Sequence, residues 1–197
     1  MGEMKETPIF VTSVFHTHVD LDLNSLYKTI KTIESQSERK QRSGSADSYQ
    51  SDFFINTYDN ELVEKLFTET IIPNANNIIK FWWNYTKPVN QIEYWYNINY
   101  PNSYNIAHNH IGSMLSGVFY IKVPKNSGNI YFMRSEQESN ELSRYIDPNN
   151  TTHYTHCRYW LEAFEGKLIL FPSYLSHYVE QNLSDDERIS LSFNLMG

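Results

Sequence analysis

Residues 105–120 read N-I-A-H-N-H-I-G-S-M-L-S-G-V-F-Y, and residues 166–182 read G-K-L-I-L-F-P-S-Y-L-S-H-Y-V-E-Q-N, followed further on by R-I-S-L-S-F-N at 188–194. Side chains at i and i+2 of an extended segment share a face. His108 and His110 can therefore reach one point, and His177 can complete the set from another strand. Arg188, eleven residues after His177, falls at the far end of a pocket behind that point. Neutral imidazoles in a facial arrangement with open positions suit Fe(II) that must also bind substrate and oxygen.

Working outward, the second half of the chain is a series of short strands. Residues 92–100 alternate strongly. Residues 116–123 and 129–133 read as strands joined through Pro124 and a turn at 126–128. Residues 167–171, 177–181 and 188–195 supply three more. Short strands at regular spacing with turn signals argue for an all-β barrel or sandwich. Residues 134–155 interrupt the series with a polar run. A long insertion between core strands beside a pocket is often a lid; His153, His156 and Arg134 could face substrate from it.

The first half reads differently. Residues 7–15 look like a strand, with His16 and His18 at its end in a second His-x-His spacing that lacks a partner motif. Residues 22–36 place Leu23, Leu26, Tyr27, Ile30 and Ile33 on one helical face. Residues 35–51 read as a polar loop and residues 52–55 as a short strand. Asp59 is expected to cap a helix over 60–72, and Pro73 to start or kink a further helical stretch through Trp83.

The order His-x-(Asp/Glu/His), a later His, then Arg-x-Ser resembles the Fe(II)/2-oxoglutarate-dependent oxygenases of the double-stranded β-helix fold. H-N-H-I-G-S-M-L-S-G-V-F-Y, L-F-P-S-Y-L-S-H and R-I-S-L-S-F-N resemble a group of small 2OG-Fe(II) oxygenases within them. The likeness runs from about residue 91 to 197, with T-P-I-F at 7–10 and S-Y-Q-S at 48–51 adding weaker signals. It implies a mainly β, jelly-roll (cupin-like) core with supporting N-terminal helices. It also implies one domain over 1–197: a helical support region at 1–90 and a core at 91–197 carrying the insertion at 134–155.

The resemblance further implies Fe(II) held by His108, His110 and His177, with 2-oxoglutarate as cosubstrate and O2 as oxidant. Arg188 and Ser190 take the distal carboxylate, a planar guanidinium being suited to hold it with two parallel hydrogen bonds. Asn97, Tyr104 and Ser116 are further candidates for the cosubstrate pocket, and Asn105 and Asn194 for acceptors behind the ligand histidines. The implied reaction hydroxylates a substrate and releases succinate and CO2. One departure stands out: most members carry Asp or Glu where this chain has His110, so His110 is either the third ligand or is replaced by water. Two other readings stay open, a cupin-like three-histidine metal protein that does not use 2-oxoglutarate and a non-catalytic binding module on the same fold.

Composition narrows the partners. Sixteen Lys and Arg against 23 Asp and Glu give a net charge of −7, which disfavours a nucleic-acid surface. One cysteine, Cys157, excludes an intrachain disulfide and fits a reducing compartment. With no long apolar run and no apolar leader, the expectation is a soluble, cytoplasmic protein. A small-molecule cosubstrate is the one partner implied, and a homodimer is allowed.

Overall fold

The computed structural model describes residues 4–5, 7, 9–37, 48–147, 149–152 and 154–197. The serine-rich stretch 38–47 and His153 lie outside them.

In chain order the elements are β1 (Phe15–His18), α1 (Leu23–Gln36), β2 (Ser48–Gln50), β3 (Phe54–Ile55), α2 (Glu61–Lys65), a π-helical segment (Leu66–Ile71) and α3 (Ile72–Trp83). The β region follows with β4 (Gln91–Asn99), β5 (Asn105–His108), β6 (Leu115–Lys122) and β7 (Ile130–Met133). It continues through α4 (Glu136–Ser143), β8 (Arg158–Leu161), β9 (Lys167–Pro172), β10 (His177–Val179) and β11 (Arg188–Met196).

Two antiparallel sheets face each other. The larger has the order β1-β9-β6-β11-β4-β2, with β3 also paired to β4; the smaller has the order β5-β10-β7-β8. This is the mainly β, double-stranded β-helix architecture with helical support. The larger sheet is covered on both faces. One face carries Tyr94, Tyr96, Ile98, Phe119, Leu168, Leu191 and Phe193 against Leu26 and Ile30 of α1, Val63 of α2, Phe67 of the π segment and Ile79 of α3. The other face carries Val118, Tyr120, Ile169 and Phe171 against Ile130 and Phe132 of the smaller sheet. Period-2 alternation thus directs successive residues to two different interiors.

The β11 sequence R-I-S-L-S-F-N shows this most clearly. Ile189, Leu191 and Phe193 pack toward the helices, while Arg188, Ser190, Ser192 and Asn194 line the space between the sheets. Polar residues at these alternate positions, three of them buried and Ser192 half-buried, are what a binding cavity needs and what a packed core would avoid.

Helix caps correct part of the sequence reading. Asn60, rather than Asp59, caps α2, its side chain accepting from the Val63 amide at 3.0 Å. Asp59 instead accepts from the hydroxyls of Tyr94 at 2.8 Å and Tyr96 at 2.9 Å. It fastens the helical layer to β4, and burial together with this carboxylate raises both phenol pKa values. The helix expected over 60–72 passes through the π segment into α3, with Pro73 in the first turn of α3, directly after the wider π turn.

Three strand readings also shift. The N-terminal strand is confined to Phe15–His18, so His16 and His18 lie within β1, both exposed, rather than beyond its end. Tyr49 and its neighbours in the expected loop form β2, paired to β4. Residues 158–161, unassigned in the sequence, form β8 beside β7. The insertion at 134–155 is therefore the connection of a β7–β8 pair, and it contains α4, capped by Ser135 on the Glu138 amide. No helix among the described residues is long and apolar enough to cross a membrane.

Candidate active site

The β5–β10 pairing places His108 directly opposite His177. His110 lies just beyond β5, its backbone N–H donating to Ser173 O at 2.9 Å. The imidazole centroids are 4.4 Å apart for His108–His177, 5.0 Å for His108–His110 and 5.2 Å for His110–His177. One nitrogen from each lies within 4.8 Å of the others, close enough to hold a single metal ion.

Local backbone geometry orients two of these rings. His108 Nδ1 lies 2.8 Å from Ile106 O, and His177 Nδ1 lies 2.9 Å from Leu175 O, each a contact to the carbonyl two residues earlier. A carbonyl only accepts, so each Nδ1 carries the proton and Nε2 keeps its lone pair for a metal. The sequence pointed to Asn105 and Asn194 for this task. Both are engaged elsewhere: Asn105 accepts from Asn99, and Asn194 accepts from Ser116 while donating to Glu93. Backbone carbonyls replace side-chain acceptors here, and side-chain reading cannot see them.

Burial keeps two of the imidazoles neutral. Desolvation, reinforced by the neighbouring His108, lowers the His110 pKa to about 4 and that of His177 to about 3. Neutral imidazole is the form that binds metal.

A cavity of about 270 Å³ connects this cluster to Arg188. Arg188 is 2 % exposed. Its Nη1 donates to Ser127 O at 2.8 Å and Gly128 O at 3.1 Å. Gly128 can hold that turn because it takes φ +87°, and an added Cβ would meet Glu180 O at 2.6 Å. Among the described residues no carboxylate forms an ion pair with the guanidinium. The acids just before it are committed elsewhere, Asp186 to Lys122 and Glu187 to Lys31, each at 2.8 Å. A buried cation with no ion-pair partner is costly, and burial lowers its pKa, with Tyr120 and the more distant Glu180 carboxylate acting the other way. Such a group fits a site built to receive an anion.

Ser190 and Tyr120 lie side by side across β11 and β6, and both line the cavity. Each is more than nine-tenths buried, and neither hydroxyl has a hydrogen-bond partner among the described residues. Burial pushes the Tyr120 pKa up to about 12, so it remains a donor at neutral pH. Tyr120 was not singled out from the sequence. Its place opposite Ser190 depends on a register that only the folded sheet displays.

Of the other sequence candidates, Asn97 lines the cavity and donates to Ser192 Oγ at 2.9 Å. Ser116 and Tyr104 do not line it. Ser116 is buried one strand level past the histidines, bonded to Asn194 and Ser173, and Tyr104 sits exposed before β5. Nor does any described residue of the 134–155 insertion line the cavity. It leaves the smaller sheet just past Phe132, the partner of His177. Within it, Arg134 is tied to the carbonyls of His156 and Tyr154, and His156 to Thr151.

Solved structures of the same architecture exist at low sequence identity. A Pseudomonas putida prolyl-4-hydroxylase matches with a TM-score of 0.66 at 12 % identity, covering 94 % of this chain and 92 % of that one. The non-heme alpha-ketoglutarate-dependent carbocyclase SnoK of nogalamycin biosynthesis matches with a TM-score of 0.67 at 12 % identity, covering 94 % and 79 %. HygX from Streptomyces hygroscopicus, crystallised with nickel and 2-oxoglutarate, matches with a TM-score of 0.61 at 9 % identity, covering 94 % and 83 %. At such identities the likeness establishes the fold. No curated protein matches the chain significantly. Residues 93–194, just over half of the chain and inclusive of all three histidines and Arg188, match the family described as "Putative 2OG-Fe(II) oxygenase", and the chain belongs to that family of Fe(II)- and 2-oxoglutarate-dependent oxygenases.

Proposed function

We propose that His108, His110 and His177 hold the Fe(II), and that Arg188, Ser190 and Tyr120 bind the distal carboxylate of 2-oxoglutarate at the other end of the same cavity. The observation that carries this reading is the buried, unpaired guanidinium of Arg188 facing a cavity whose opposite wall is the three-imidazole cluster. A cupin-like metal protein that ignores 2-oxoglutarate would leave that guanidinium without a purpose.

Fe(II) bound there supplies the oxygen-activating chemistry that couples decarboxylation of 2-oxoglutarate, to succinate and CO2, with hydroxylation of a substrate. The chain's own residues do the rest. His108 and His177 are held by carbonyls with Nε2 free. The third position is a neutral imidazole in place of the usual carboxylate, which leaves more positive charge on the metal. Arg188 neutralises one carboxylate of the cosubstrate, with the Ser190 and Tyr120 hydroxyls donating beside it. Phe171 and Phe132, whose rings lie 4.7 Å and 6.3 Å from the His177 ring, keep that side dry.

On this reading residues 1–197 act as one unit. The helices before β4 brace the larger sheet, and the 134–155 insertion stands at the histidine end as a lid. The deciding experiment is anaerobic titration of Fe(II) and 2-oxoglutarate, followed by a succinate assay in air. Binding with succinate release is expected; metal binding without 2-oxoglutarate binding would leave only the metal site.

A further inference from the structure

Beyond the cosubstrate clamp, one flank of the cavity is left unused. Strand pairing places Gln50 opposite Asn97, Asn97 opposite Ser190 and Ser190 opposite Tyr120, a single polar row across β2, β4, β11 and β6. Gln50 and Ser190 are two strands apart, about 10 Å by ordinary interstrand spacing. Asn97, bonded to Ser192, stands between a carboxylate held by Ser190 and Tyr120 and the Gln50 amide.

Gln50 is 7 % exposed and lines the cavity, yet its side-chain amide has no hydrogen-bond partner among the described residues. Its amide faces the cavity with donor and acceptor both available to whatever enters there. Beside it lie Phe53 and Trp95, in edge-to-face contact at 5.1 Å, and Trp95 in turn lies 5.8 Å from the His110 ring. This flank therefore joins a paired donor and acceptor to an aromatic wall that reaches the metal cluster. Arg188 is the only side chain of Asp, Glu, Lys or Arg among the described cavity lining, and it stands on β11, two strands away from Gln50.

We infer that Gln50, with Phe53 and Trp95, forms a substrate subsite that selects an uncharged amide carried next to a flat apolar group. The inference rests on the cosubstrate reading above only for which end of the cavity is free. A carboxamide presents an N–H and a C=O side by side, so its best partner is another amide meeting it with two hydrogen bonds. A site built to hydrogen-bond a group rejects analogues that lack it, because its own buried polar atoms are then left unpaired. Phe53 and Trp95 supply contact area for the apolar part.

The test uses three probes with one ring and different heads: benzamide, methyl benzoate and benzoate. Each is titrated into the protein with Zn(II) as a redox-inert metal, with and without saturating 2-oxoglutarate. Chemical shifts are followed at the Gln50 side-chain NH2 and the Trp95 indole N–H. Benzamide should move both resonances and bind about tenfold more tightly than either partner, the difference made by two neutral hydrogen bonds. Gln50→Leu should abolish that preference while leaving 2-oxoglutarate affinity unchanged, and Gln50→Asn, which keeps the amide on a shorter stem, should keep part of it. Equal affinity for the three probes, or benzamide shifts confined to residues away from Gln50 and Trp95, would overturn the subsite. Failure of 2-oxoglutarate to bind would overturn the cosubstrate site instead, since the benzamide preference is read in the samples without it.

Discussion

Replacing Arg188 by Met should separate function from stability. Two opposing terms act on the cosubstrate-free protein. The substitution removes two charge-assisted hydrogen bonds, to the carbonyls of Ser127 and Gly128. It also removes a fully buried charge that no described carboxylate pairs with directly, although Glu180 acts on it from further away, and such a charge costs several kcal/mol even after relaxation. The terms oppose each other and are of similar size, so unfolding free energy should change by less than about 2 kcal/mol. A structural arginine whose removal orphaned a partner charge would cost about 3–5 kcal/mol instead. Binding of 2-oxoglutarate should respond very differently. Hydrogen bonds to charged groups contribute roughly 1.5–3 kcal/mol net, which is about one to two powers of ten in affinity. Arg188→Lys should recover only part of this, because an ammonium keeps the charge but loses the planar fork. Ser190→Ala and Tyr120→Phe each remove one neutral donor and should weaken binding by about threefold to tenfold. Fe(II) affinity should hold across the set, since the three histidines are untouched. The assay is an anaerobic titration of 2-oxoglutarate into the Fe(II) protein, alongside denaturant unfolding of the same variants. Equal 2-oxoglutarate affinities throughout, or a large loss of stability with binding preserved, would refute the clamp.

Asp59→Ala should destabilise the protein by about 2–4 kcal/mol, because two fully buried tyrosine hydroxyls lose their acceptor; denaturant unfolding measures this, and Tyr94→Phe in the same background should recover part of the loss. Metal-free protein should lose stability as the pH falls from about 6.5 toward 4. The His110 and His177 pKa values are lowered in the fold from 6.5 to about 4 and about 3, so the unfolded chain takes up protons first. Thermal unfolding against pH checks the sign, and His110→Gln should flatten the slope. Shortening the 134–155 insertion to a tight β7–β8 turn should leave 2-oxoglutarate affinity unchanged, because none of its described residues lines the cavity, while faster uncoupled succinate formation is expected if it shields the histidine end from water.

Alternation made much of the fold legible. The six strands expected between residues 92 and 195 all occur, with ends displaced by no more than two residues, because each has at least one buried face and a period-2 pattern fixes which residue goes where. What escaped was short or backbone-driven. The three residues of β2 gain their strand character from β4 alone, and β8 is four residues long and follows a polar loop. α4 was missed inside the run read only as polar, although the Ser-x-x-Glu spacing of Ser135 and Glu138 is a helix-start signal there. Asp59 and Asn60 were both acceptable caps by residue type. Two tyrosines 35 and 37 residues away decided between them, and no local signal carries that.

The site was legible wherever one strand holds the information. His108 with His110, and Arg188 with Ser190, are i, i+2 pairs that any extended segment brings to one face. Tyr120 and Gln50 belong to the same cavity by a different rule. They are joined to Ser190 and Asn97 through lateral register across β6, β11, β4 and β2, and register is set by every pair in the ladder together. The difference extends to chemistry. Groups read along a strand supply the metal cluster and the guanidinium, the parts that bind ions. Groups read across strands supply neutral donors whose only visible justification is a ligand. On the proposed reading, the row puts the Tyr120 hydroxyl beside the cosubstrate carboxylate and leaves Gln50, on the far side of β4, for whatever enters beside it.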